Sequence, residues 1–145
     1  MPKTVRTALV CLCFTGVLSV AAPAQAAPTK MEKRLVSRIN DARQDRGLRT
    51  LRTASSIQSG AHSWSRHLLR TDSFHHARLR SGTGEVIAWG TCSWFKPGAA
   101  VRAWLRSPSH RTLLLRGSFR RVGTGWARGS WNGYGCVEMA VARFR

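Results

Sequence analysis

The sequence predicts an α+β fold in which helices fill the first half and an antiparallel hairpin closes the chain. Three observations lead there. Apolar residues recur at helical spacing after two capping patterns between Thr29 and Leu68. The β-rich segments are confined to the region from Glu85 onward. Asn132-Gly133, a dipeptide suited to a tight two-residue turn, joins the last two of them. Segregation of this kind argues against a βαβ array.

Ahead of the fold, Lys3 and Arg6 precede an apolar stretch from Ala8 to Val20, and Ala24-Gln25-Ala26 fits a small-x-small cleavage pattern. The stretch is short for a membrane span, and Pro23 and Pro28 interrupt it. Residues 1–26 therefore read as a secretory signal peptide, and residues 27–145 as a single secreted domain without repeats or an internal linker. Thr29-x-x-Glu32 is a capping box, followed by Leu35, Val36, Ile39 and Ala42 on one face, with Arg43 and Arg46 near the end and Gly47 at C′. Ser55-x-x-Gln58 reads as a second capping box, ahead of Ile57, Ala61, Trp64 and Leu68. A third helix is predicted over Pro97–Arg106, with Val101, Trp104 and Leu105 inward. Ser107 as cap, Pro108 at the first position and Gly117 as terminator define a short fourth helix with His110 in its first turn, where the helix end disfavours imidazolium. Strands are predicted at Glu85–Trp89, Arg121–Ala127 and Tyr134–Phe144.

The composition constrains the chemistry further. The 24 Lys and Arg against 6 Asp and Glu make a net charge of +18, and loss of the signal peptide with Lys3 and Arg6 leaves +16. A field of that size favours polyanions: anionic cell-wall polymers such as teichoic acid, anionic lipids or extracellular nucleic acid, bound with strong salt dependence. No helix-turn-helix, zinc-finger or RNA-binding signature points to specific nucleic-acid recognition. Of four cysteines, Cys11 and Cys13 fall in the signal peptide, so Cys92 and Cys136 are expected to form one disulfide in an oxidising compartment. Closing a loop of that length stabilises a fold by roughly 4 kcal/mol in the chain-entropy picture. Trp64, Trp104 and Trp89 fit core positions, whereas Trp94 and Trp131 lie in loop-like segments suited to contact with a ligand ring. His62 and His67, five apart on the second helix, read as surface or boundary residues.

There is no HExxH, Walker-type loop or GxSxG, and no CxxC pair in residues 27–145. Several segments in order nonetheless resemble one family. Asn40-x-x-Arg43, then GLRTL, then Ile57-x-x-x-Ala61 are similar to the opening of a CAP domain (the cysteine-rich secretory, antigen 5 and pathogenesis-related 1 superfamily). FHH followed by GTGEVIAWG resembles its histidine-then-GENxA element, and AWLRSPSHRTLLL with FRRVGTGWA resembles the bacterial form of its second histidine motif and following strand. The resemblance spans about Met31 to Phe144 and implies a three-layer α-β-α sandwich with a small antiparallel sheet and a solvent-facing cleft.

Carried over by position, the resemblance places His76, Glu85 and His110 in that cleft, with His75 as the alternative to His76. Val86 replaces the asparagine that normally follows the glutamate, and Ser107 stands where animal and plant members carry a second acid. Two imidazoles and a carboxylate are also a composition for Zn²⁺ or another divalent cation with an open fourth position. The expected function is binding outside the cell or at its envelope, by a monomer, of a small ligand or divalent metal and without covalent catalysis. The alternatives are a metal-assisted hydrolase using the same residues, with Glu85 as base, or a basic polyanion-binding module.

Overall fold

In the computed structural model, which describes residues 27–145, the predicted signal peptide lies outside the described residues. The first helix, α1, runs Lys30–Gln44 and starts as expected. Thr29 Oγ1 accepts from the Glu32 N–H at 3.2 Å, and the Glu32 carboxylate accepts from the Thr29 N–H at 2.7 Å. It ends in a Schellman pattern, Leu48 N–H to Arg43 O and Gly47 N–H to Gln44 O, with Gly47 at φ +66°. Asn40 and Arg43 then fix the chain beyond the helix. The Asn40 amide donates to Leu51 O and accepts from Leu51 N–H. The fully buried Arg43 guanidinium donates to the carbonyls of Arg49, Leu114 and Arg116.

Beyond α1 come β1 (Arg52–Thr53), α2 (Ser55–Arg70), β2 (Gly84–Thr91), α3 (Pro97–Arg106), α4 (Pro108–Leu114), β3 (Arg121–Trp131) and β4 (Tyr134–Phe144). The sheet order is β1-β3-β4-β2. The long strands pair antiparallel, β4 between β2 and β3, and β1 adds a two-residue parallel pairing to β3 that the sequence did not announce. Asn132 and Gly133 both adopt positive φ in the β3–β4 turn.

Strand alternation divides the core in two. Val86, Val122, Trp126, Ala140, Ala142 and Phe144 face α1, α3 and α4 through Leu35, Ile39, Val101, Trp104 and Leu114. Ile87, Val137, Met139 and Val141 face α2 through Ala61 and Leu68. The expected three-layer α-β-α sandwich results. Trp104, 1% exposed, also donates its indole N–H to Ile87 O, so its removal is worth about 3–5 kcal/mol. Gly123 and Gly125 let α2 rest on β3: a Cβ at either would collide with helix backbone at Ile57, Gln58 or Ala61.

Two capping expectations need correction. Gln58 forms no capping box, and α2 starts from Ala54 without a side-chain cap. β1 stops at Thr53, which leaves the next stretch of β3 without a strand partner, and the Gln58 amide fills that role by donating to Thr124 O and accepting from Thr124 N–H. Ser107 is the N-cap residue of α4 by position only, since its hydroxyl goes to His110. That helix ends at Leu114, and Gly117 lies in the turn beyond it. Cys92 and Cys136 form the expected disulfide, with Cα atoms 5.6 Å apart beside the β2–β4 pairing.

Candidate functional site

Edge strand β2 begins where the loop from α2 and the short helix α4 meet. Glu85, the second residue of β2, points to the α2 side of the sheet and is 5% exposed. Its register partner across the strands is Arg143, which lies on the same side. Arg143 Nε donates to Glu85 Oε2 at 2.8 Å. Oε1 accepts from the Ala77 N–H at 3.0 Å and lies 2.9 Å from His76 Nδ1. The Arg143 guanidinium also sits over the Trp64 ring at 5.7 Å, in space kept open by the missing Cβ of Gly60.

His110 enters from α4. Its Nδ1 is 2.9 Å from Ser107 Oγ, and its ring centroid lies 6.3 Å from that of His76. Burial, followed by the electrostatic effect of neighbouring His76, lowers the His110 pKa from its ordinary value. The direction matches the sequence expectation, and burial and a neighbouring imidazole are causes the sequence did not name. Each ring thus uses Nδ1 for its anchor, and neither Nε2 has a hydrogen-bond partner among the described residues. His76 is half-exposed, with 53% of its side chain accessible.

The three expected cleft residues are therefore brought together, and His76 is the histidine that meets Glu85. His75 packs edge-on against Trp64 instead, at 5.3 Å. Val86 faces away from the cleft and is wholly buried in the core on the α1 side. Arg143 and the Ala77 amide hold the glutamate from the sides that remain. Ser107 occupies the second-acid position and anchors His110.

Three donors on the two oxygens of Glu85, one of them a guanidinium, do not fit a His76–Glu85–His110 metal-ligand set. Among the described residues, no group of three His, Cys, Asp or Glu side chains is arranged to hold a metal ion. Both oxygens of Glu85 are thus already engaged, by His76 and Ala77 on one side and Arg143 on the other.

Sequence reasoning missed Arg143. The signal available for it was alternation: Glu85 and Arg143 are opposite charges on strands that only the pairing register brings face to face. His62, read as a surface or boundary residue, is a boundary one with 23% of its side chain accessible, and its Nδ1 lies 2.7 Å from buried Glu32, a partner the sequence did not name. Trp131 closes β3 at 7% exposure against the α2-side core, so it is no free platform, whereas Trp94 is 61% exposed.

A family model described as CAP, the cysteine-rich secretory protein family, matches residues 36–144. No curated protein matches the sequence. Solved structures do match. An outer surface protein from Borrelia burgdorferi is 21% identical with a TM-score of 0.61, over 77% of this chain and 89% of that one. An extracellular protein containing a SCP domain from Bacillus anthracis is 20% identical with a TM-score of 0.63, over 86% of this chain but 44% of that one. A cysteine-rich secretory protein from Staphylococcus aureus is 14% identical with a TM-score of 0.55, over 81% of this chain and 40% of that one. These likenesses establish the fold.

Proposed function

The chain belongs to the CAP family of cysteine-rich secretory proteins, and from that premise we propose that it acts outside the cell or at its envelope by binding, without covalent catalysis. The cleft takes a small anion that still carries an O–H, such as hydrogen phosphate, which donates to the bare Nε2 of His76 and accepts from the Nε2–H of His110. One observation carries this reading: two imidazoles lie 6.3 Å apart, each tied down at Nδ1, beside a glutamate already matched by a guanidinium. The carboxylate in the cleft is thereby compensated, and the net charge, +18 for the whole chain and +16 without Lys3 and Arg6, draws anions toward it. Extracellular placement is supported by the secretory family and by its similarity to an outer surface protein of Borrelia and an extracellular protein of Bacillus.

The test is a titration of the purified protein with inorganic phosphate near neutral pH, read at the histidine ring signals by NMR. Saturable shifts of both His76 and His110, lost at His76 when His110→Ala is introduced, are the expected result. Absence of any shift at both rings overturns the reading. A parallel Zn²⁺ titration decides between occupants. Equimolar Zn²⁺ binding that disappears in Glu85→Gln/His110→Ala would replace the anion with a metal.

A further inference from the structure

A groove of about 1270 Å³ opens between α1, the start of α3 and the β3–β4 hairpin. None of His76, Glu85 or His110 lines it. We propose that this groove binds an acidic polysaccharide, with a sugar ring on Trp94 and acid groups on the arginines around it. The proposal is independent of the cleft reading.

Trp94 is the first argument. Its side chain is 61% exposed, the largest exposure among the exposed large hydrophobics of the described residues. Yet its loop is held firmly. Cys92 is bonded to Cys136, the Trp94 and Phe95 N–H groups donate to Thr91 O, and Lys96 Nζ donates to Cys92 O at 3.0 Å. Phe95, 1% exposed, stacks on Trp126 in the space left by Gly90. The indole is thus displayed from a rigid base and loses little freedom on binding. A flat apolar face with a polar N–H suits the C–H face of a sugar ring.

The charges in the groove are the second argument. Arg34 and Arg102 line it, and a guanidinium fork matches a carboxylate or sulfate group; Arg128 lines it too but is paired with Glu138 of the same groove at 2.8 Å. Asp41 and Asp45 line it as well, and their oxygens can only accept. Acceptors interleaved with cations fit a chain that carries both hydroxyls and acid groups. The same carboxylates oppose a nucleic-acid backbone, and a concave groove does not fit a flat anionic membrane. The exposed Arg38–Asp41 contact, 3.6 Å long, is weak enough to yield to a ligand hydroxyl.

The experiment titrates the purified protein with short oligogalacturonates in about 0.15 M salt, read by tryptophan fluorescence and calorimetry, with neutral dextran, oligo(dT) and anionic phospholipid vesicles as further arms. Expected are saturable binding of the oligogalacturonate and no binding of dextran. Trp94→Ala and Arg34→Ala/Arg102→Ala should each weaken affinity about tenfold or more, with circular dichroism unchanged because these side chains are at the surface. His110→Ala should leave it intact. Equal affinity in Trp94→Ala, equal binding of dextran, or tighter binding of oligo(dT) or vesicles than of oligogalacturonate would overturn the proposal.

Discussion

Two buried glutamates each hold a histidine by Nδ1, and only one of these pairs leaves its imidazole half-exposed beside a second histidine. Glu32 and His62 are 2.7 Å apart, with side chains 1% and 23% exposed. Glu85 and His76 are 2.9 Å apart, at 2% and 53%. The carboxylates even share a pattern, since each also accepts a backbone N–H: Glu32 from Thr29 and Trp126, Glu85 from Ala77. What differs is everything beyond the ring. Glu32 fastens the start of α1, the open edge of β3 and the α2 layer to one another, and its histidine ends that chain of contacts. Glu85 is matched by Arg143, so its histidine is free to face a second histidine across the cleft. A His–Glu contact is therefore a fastening by default, and it becomes a candidate site only where the imidazole stands open to solvent, 53% accessible at His76 against 23% at His62.

Removing the fastening is expected to have the largest effect. Glu32→Ala strips the helix cap, leaves the Trp126 N–H buried without an acceptor and frees His62. Charge-assisted and buried hydrogen bonds of this kind together cost about 3–5 kcal/mol of stability, to be read by urea unfolding. The cleft, on a different strand, should keep its response to phosphate in the molecules that remain folded. Glu85→Gln should cost less, about 1–3 kcal/mol, because Arg143 is not fully enclosed and can turn toward water. Its signature lies in the cleft, where His76 loses its anchor and the phosphate response weakens. If Glu85→Gln proved the more destabilising of the two, the division into a fastening and a site would fail.

The legible parts of this molecule were those written in neighbouring residues. Thr29 and Glu32 announce α1, Pro97 and Pro108 the next starts, Gly47 an end and Asn132-Gly133 a turn, because each works within a few positions of itself. Gln58 shows the limit. Its spacing from Ser55 is that of a capping box, but β1 stops short and the amide is drawn to the unpaired backbone of Thr124, 66 residues away. The cleft was legible through family resemblance at His76, Glu85 and His110. The choice between His75 and His76 needed the loop in place. Arg143 was illegible because it meets Glu85 across 58 residues and only through the β2–β4 register. The Glu32–His62 contact spans 30 residues and joins two layers, so helical spacing placed His62 at the surface or boundary without naming its partner.

The smallest expected effect is also the sharpest test of whether the two cleft rings act on each other. His110 titrates below its ordinary value of 6.5 in the folded protein, first from burial and second from His76. Its neutral form is the one the fold favours. Above pH 6.5 both folded and unfolded chains carry His110 neutral, and its contribution to stability is complete. As pH falls below that value, the unfolded chain takes up the proton first and the contribution declines, until the folded ring titrates in turn. His76→Gln removes the second cause and leaves the first. The His110 pKa should therefore rise only part of the way toward 6.5, as followed at its ring signal. His62→Gln, made at the other pair, should leave the His110 titration where it is. A His110 pKa that ignored His76 would mean that the rings do not share a cleft, whereas one that moved equally with His62 would mean that the two pairs are coupled through the sheet.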